Sequence, residues 1–420
     1  MGMFYTLGIR NFRLLWIGSL FSNFAMWVQS TTLNVVVYDM TGSGTLLGTV
    51  NGIRSFPTMI LAPLSGVVAD RFDRKALMLY AQLALLMMTF VMGLLLAFGI
   101  AEVWHVMAFA VLSGVPSAIN QPVRAAITPM TVPRAALPNA AALNSGAFTF
   151  TRIIGPGAAG IIILAVGSAS NFFIQAGAYG LVMVTIYMMV LPRGGQAKRG
   201  ASVLFDLKEG FKYCYKNKAI RVLVLMGLFN PIFVLPFQTL LVVFSKDVFD
   251  SGSAGVGYLL AGSGTGAVIG ALAVASANKI ERRGLFQLTG MILFGLSIAL
   301  FTFAQNIWVA IVIIMFTGAF QLLVLTTNQA LIQLSVPPKL MGRVNGIMAI
   351  EQGMSFVGAF LGGWMTDVVG PQETVLVLGL ICSALGLFMI LFFPKIRNMG
   401  PATALQAQKD AEASMGMVSS

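Results

Sequence analysis

The sequence predicts an all-α integral membrane protein of twelve transmembrane helices, arranged as two six-helix pseudo-repeats. Of its 420 residues 57% are hydrophobic and only 10% charged, with a mean hydropathy of +0.87, whereas a soluble domain carries roughly a quarter charged residues. Twelve apolar stretches reach the ~20 residues needed to cross a hydrocarbon core. The segment Gly66–Lys75, with five charges in the six residues from Asp70 to Lys75, recurs in worn form as Asn278-Lys279-Ile280-Glu281-Arg282-Arg283. The displacement of 208 that carries Asp70 onto Asn278 also carries Asn120-Gln121 onto Asn328-Gln329. Self-similarity at half the chain length marks a duplicated structure.

In order, the expected spans are 12–38, 45–69, 76–98, 103–128, 140–166 and 169–191, then 219–245, 253–277, 284–304, 306–331, 344–368 and 371–393. Residues 1–191 and 219–393 thus form the two halves. The basic linker 192–218 places Leu204, Leu207, Phe211 and Tyr215 at helical spacing, which predicts an amphipathic cytoplasmic helix. The tail 394–420 is polar from Asn398 onward and is expected to be disordered.

The net charge of +12 is a topology signal. On this span map 22 of the 26 Lys and Arg fall in loops and tails of one side or, as Arg13 and Arg221 do, in the first residues of a span on that side; one (Lys246) falls on the other, and three (Arg54, Arg124, Arg152) lie deeper inside spans. The positive-inside rule then places both termini and the linker in the cytoplasm and leaves no case for nucleic acid. Cys214 falls in the linker and Cys382 in the last span, so no disulfide is expected. No phosphate-binding loop of the Walker type occurs, which argues against ATP hydrolysis. Lone His105, placed in a short outer loop, has no second ligand, and neither metal nor cofactor is expected. The four-residue spacing of Gly262, Gly266 and Gly270 reads as a face for close helix approach.

Polar side chains at bilayer depth are costly and tend to face a bundle interior or a water-filled path. Asn23, Trp27, Ser30 and Asn34 form a stripe on the first span at i, i+4, i+7, i+11, and Ser113, Ser117, Asn120 and Arg124 repeat that spacing on the fourth. Thr317, Gln321 and Asn328 follow it on the tenth, where the shift of 208 maps Ser113 onto Gln321 and Asn120 onto Asn328. The seventh span offers Asn230, Phe233, Phe237 and Gln238. The set suggests four helices lining one cavity; the alternative is ordinary interhelical hydrogen bonding.

Among embedded charges, Glu351 is the one carboxylate clearly inside a span. It is the leading candidate for proton coupling, against a fixed ion pair or a hydrogen bond to a helix terminus. Arg54 and Arg152 are candidates to attract an anionic substrate group, to partner Glu351, or to satisfy carbonyls at a kink. Arg124, near a span end, is expected to snorkel toward water or to pair with Asp70.

Gly66-x-x-x-Asp70-Arg71-x-x-Arg74-Lys75, between the second and third spans, resembles the signature loop of the major facilitator superfamily. The resemblance implies that Asp70 meets the positive N-terminus of a helix in the other half, near Gly342, while Arg71 and Arg74 hold the loop at the cytoplasmic face, as a latch that releases during alternating access. Arg10-Asn11-Phe12-Arg13-Leu14-Leu15-Trp16, Thr41-Gly42-Ser43, Ala125 to Asn144, and Thr151 to Gly160 look like the bacterial drug:proton antiporter branch, which includes macrolide-efflux and enterobactin-exporter relatives. Gly155-Pro156, with Gly160, is similar to that branch's antiporter motif, although Ala159 stands where a glycine is usual and Met26 where the first helix often has an acid.

The resemblance implies a monomeric, non-enzymatic, proton-coupled exporter of an amphipathic small molecule, drug-like or siderophore, in the bacterial inner membrane. On the same fold an importer or uniporter of a small metabolite is the first alternative. A non-transporting sensor or assembly partner is the second.

Overall fold

The computed structural model describes the backbone of residues 5–71, 73–190, 203–276 and 280–414, and among these every regular element is helical. Two compact units are formed, Met1–Gly200 with Leu241–Ala261, and Ala201–Leu240 with Gly262–Ser420.

The first unit contains α1 (Arg10–Thr41), α2 (Gly44–Arg71), α3 (Arg74–Ala97), α4 (Val103–Thr131), α5 (Leu137–Val166) and α6 (Ser168–Met188). Helix α1 stops at Gly42, whose φ of 58° is left-handed and whose N–H bonds the Tyr38 carbonyl. Glycine adopts that conformation without the Cβ penalty other residues meet. Helix α3 starts at Asp73, whose carboxylate accepts from the Ala76 N–H at 2.8 Å, so one charge of the signature loop serves as a helix cap. His105 lies in the first turn of α4 rather than in a loop, and closes a capping box with Glu102. Pro116, Pro122 and Pro129 interrupt α4 and Pro156 interrupts α5, each removing a backbone donor. At the far end of α1 Tyr38 donates to Asp247, and Lys246 pairs with Asp39.

In the second unit α7 (Val203–Lys216) leads to α8 (Lys218–Gly227), a π-helical segment Asn230–Val234 and α9 (Leu235–Val243). Pro231 and Pro236 break the α-pattern here because neither donates a backbone bond. Helix α10 (Gly252–Ser276) belongs to the first unit as far as Ala261 and to the second from Gly262, and it is followed by α11 (Arg283–Phe301), α12 (Ile307–Ser335), α13 (Pro338–Gly353), α14 (Ser355–Val369) and α15 (Pro371–Phe392). A discontinuity at Met354 separates α13 from α14 three residues after Glu351.

Helix α7 forms where an amphipathic helix was expected, with a different packed face. Phe211 and Tyr215 are exposed, while Gly210 and Cys214 are buried and Glu209 pairs with Arg343 at 3.0 Å. Leu204 and Leu207 lie outside the residues whose side chains are described. Burial, and secondarily the Glu351 carboxylate, push the Cys214 thiol up to about 11. Thiolate is the reactive form, so maleimide labelling of Cys214 is expected to be slow at pH 7 and to accelerate as pH approaches that value, as mass spectrometry of the labelled protein would show.

The chain continues through α16 (Pro394–Arg397) into α17 (Pro401–Ser414), and Ile396, Met399 and Ala404 join the core that contains Ile220, Leu331 and Val344. The alanines of this stretch are strong helix formers and a proline opens the helix.

Ten helical stretches among the described residues are long and apolar enough to span a membrane. Helices α1 and α2 run 32 and 28 residues. Large apolar side chains such as Leu164, Tyr187, Leu272 and Phe316 are exposed, as expected of faces that meet lipid.

Candidate functional site

Inside the first unit, α1, α2, α3, α4 and α6 enclose a polar cavity of about 170 Å³. Helix α4 contributes Ser113, Ser117, Asn120 and Arg124, the whole stripe expected of the fourth span. Gly114 brings that stripe close to α2, since a Cβ there would lie 2.6 Å from the Arg54 carbonyl and 2.9 Å from the Pro57 ring. From α2 come Arg54, Ser55 and Thr58, and from α3 Leu85.

Helix α1 shows a different face from the one expected. Ser22, Asn23, Met26 and Gln29 line the cavity, so of the stripe Asn23, Trp27, Ser30 and Asn34 only Asn23 does. Trp27 faces α5: it meets Phe148 at 5.8 Å, and the Arg152 guanidinium lies over its ring at 5.8 Å. Asn34 accepts from Asn51 Nδ2 at 2.7 Å. The two candidate faces of α1 differ by one residue, or about 100° of rotation, and both are polar enough to be chosen from sequence.

A hydrogen-bonded chain organises the cavity wall. Tyr179 of α6 donates its hydroxyl to Gln29 Oε1 at 3.2 Å, and Gln29 Nε2 donates to Ser113 Oγ at 3.4 Å. Ser117 Oγ donates to the Ser113 carbonyl at 2.8 Å. Asn120 is 8% exposed and its Oδ1 has no partner, nor has Nε of Arg124. Two guanidinium groups therefore share this cavity with no carboxylate among the described lining residues. Sequence reasoning missed Tyr179, a polar group among apolar neighbours, and Gln29, which is followed by Ser30, Thr31 and Thr32 on a segment that is polar on more than one face.

In the second unit the expected stripe is hydrogen-bonded within the bundle. Gln238 donates to Gln321 at 3.3 Å, Gln287 to Asn328 at 3.0 Å, and Thr317 to Ser297 at 3.0 Å. Phe237 is a packing residue, 2% exposed and edge-on to Phe301 at 5.4 Å. Asn230 opens the π-helical segment. Glu351, at the end of α13, is 9% exposed with Oε1 unpartnered, and a Cβ on Gly227 would overlap its other oxygen.

The kink motif makes backbone-to-backbone contact within the first unit. A Cβ on Gly160 would lie 2.9 Å from the Ser253 carbonyl, and one on Gly257 2.8 Å from the Pro156 carbonyl. Gly155 faces Trp27, where a Cβ would come within 2.7 Å of the indole stem.

Of the signature loop, Lys75 donates to the Tyr187 and Met189 carbonyls at 2.8 and 2.6 Å, placing a cation on the negative end of α6. Arg74 contacts Met130 Sδ at 3.3 Å. The side chains of Gly66, Asp70 and Arg71, and all of Asn278, lie outside the described residues.

These geometries belong with known proteins of the same build. The chain resembles the staphyloferrin A transporter of Staphylococcus aureus (strain NCTC 8325 / PS 47), 26% identical over 380 residues that cover 90% of this chain and 92% of that one. It also resembles macrolide efflux protein A of Streptococcus pyogenes, 22% identical over 383 residues, covering 89% and 94%. In fold it matches the crystal structure of nucleoside transporter NupG, with a TM-score of 0.73 at 12% identity over 91% of this chain and 99% of that one. The family model of the transmembrane secretion effectors matches residues 1–415, and the chain therefore belongs to that family of the major facilitator superfamily: it is a multi-pass membrane exporter and not an enzyme.

Proposed function

We propose that this exporter couples outward movement of an amphipathic small molecule to inward movement of protons by alternating access. The observation that carries the proton is Glu351. It is buried, one oxygen is unpartnered, and the helix breaks three residues later. An isolated carboxylate is costly to keep charged in an apolar setting, so its proton exchange is tied to its access to water. A helix discontinuity is where such access can change.

The spans number twelve in this reading, with α1 and α2 added to the ten, and both termini are cytoplasmic by the positive-inside rule. The two-repeat layout is supported by a pair of hydrogen bonds. Gln29–Ser113 joins α1 to α4, and Gln238–Gln321 joins the seventh span to α12. The shift of 208 carries Ser113 onto Gln321 and Gln29 onto Phe237, the neighbour of Gln238. The protein works as a monomer, since each bundle builds its own polar interior. The loop Gly66–Lys75 is assigned the cytoplasmic gate, and Arg152, stacked on Trp27, a positioning role beside the kink at Pro156.

An amphipathic small molecule as substrate accords with the likeness to a staphyloferrin A transporter and a macrolide efflux protein. In proteoliposomes with an imposed pH gradient, flux of a fluorescent amphipathic compound is expected to follow the gradient and to collapse with a protonophore. Flux indifferent to the protonophore would replace coupling by uniport.

A further inference from the structure

We propose that the cavity of the first unit is a subsite for a carboxylate flanked by a hydroxyl or N–H donor, with Arg54 and Arg124 holding the carboxylate and Asn120 Oδ1 taking the neighbouring donor. The proposal rests on the transport reading and names the chemistry of the group carried. Both arginines line one cavity with no acidic side chain among its described lining residues. A buried cation without a counter-ion is unfavourable, and a guanidinium fork matches a carboxylate through two parallel bonds. Ser113 is neutral and offers no counter-charge, and its hydroxyl is already engaged, donating to the Ala110 carbonyl and accepting from Gln29.

The unpartnered oxygen of Asn120 adds the second half of the recognition. A buried acceptor left unmade is costly, whereas a ligand O–H or N–H satisfies it. Size narrows the class further. At about 170 Å³ the cavity is smaller than the ~300–1,000 Å³ pockets that hold whole drug-sized ligands. It therefore takes the acidic head of a molecule whose remainder lies elsewhere along the path. Gly114 keeps the site open to α2, since any side chain there would push Arg54 away.

The test uses the full-length purified protein and four probes: citrate, which has three carboxylates and a hydroxyl; tricarballylate, which lacks the hydroxyl; trimethyl citrate, which lacks the charge; and sulfate. Thermal unfolding is followed against probe concentration, because a ligand that binds the folded state raises the melting temperature by mass action. Citrate is expected to give a saturable rise, tricarballylate a weaker one, and the ester none. Arg54→Gln or Arg124→Gln is expected to weaken citrate by about tenfold or more, the scale of a lost charge-assisted bond. Asn120→Ala is expected to bring citrate and tricarballylate together. Each variant's own melt without probe shows whether it folds, and Arg54→Lys supplies a folded variant that keeps charge but loses the fork. No citrate effect, an equal effect of ester or sulfate, or an unchanged response in both glutamine variants overturns the assignment. Gradient-driven flux of a neutral amphipathic dye, measured on the same variants, separates this failure from that of the transport reading: its loss in the wild type counts against transport alone.

Discussion

Glu351→Gln is expected to abolish the link between flux and the pH gradient while leaving the protein folded. Oε1 of the carboxyl is unpartnered among the described residues, so the isosteric amide breaks no hydrogen bond at that oxygen. What disappears is the proton. With one proton exchanged per substrate, a gradient of one pH unit supports an accumulation ratio of about tenfold, since one unit corresponds to about 1.4 kcal/mol. In the variant this ratio should fall to about one, while substrate exchange with no gradient persists. Both quantities come from one proteoliposome assay with a fluorescent substrate. Full gradient dependence in the variant would remove Glu351 from the coupling role.

Gly266→Val should be the most damaging single substitution to folding. The small-residue face of α10 lies against α12, where a Cβ on Gly266 would overlap the Met315 backbone, one on Gly270 the Ala319 backbone, and one on the facing Gly318 the Ser263 backbone. These neighbours are main chain, so no side-chain rotation relieves the clash. Overpacking typically costs about 1–3 kcal/mol even where side chains can move; here the whole helix pair must separate. Loss of monodisperse protein after detergent extraction is the expected readout. Gly177→Ala is the control, because nothing lies within 4 Å of a Cβ there. A Gly266→Val protein as stable as that control would show that the two helices are not held this closely.

Sequence periodicity carried the fold a long way because a bilayer imposes simple demands: apolar length, satisfied backbone and a charge bias at the ends. It also identified the stripe of α4, every member of which lines the cavity, and the glycine face of α10. It went wrong on α1, where the lining face begins at Ser22 and runs through Met26 and Gln29. A helix carrying polar residues on two neighbouring faces does not announce which is inward. The stripe of α12 reads the same in sequence as that of α4, yet its amides are taken up by Gln238 and Gln287.

By itself, then, the chain's composition and spacing determined that it is a membrane-spanning helical bundle. That property depends on local sequence and on the solvent the helices face. Only the tertiary structure decided that Arg54 and Arg124 share one cavity, that Gln29 and Tyr179 belong to its wall, and that Glu351, beside Gly227, has an oxygen without a partner among the described residues. Whether a buried polar group is a site or a satisfied contact depends on what the neighbouring helices bring to it, and helix rotation and packing set that partner.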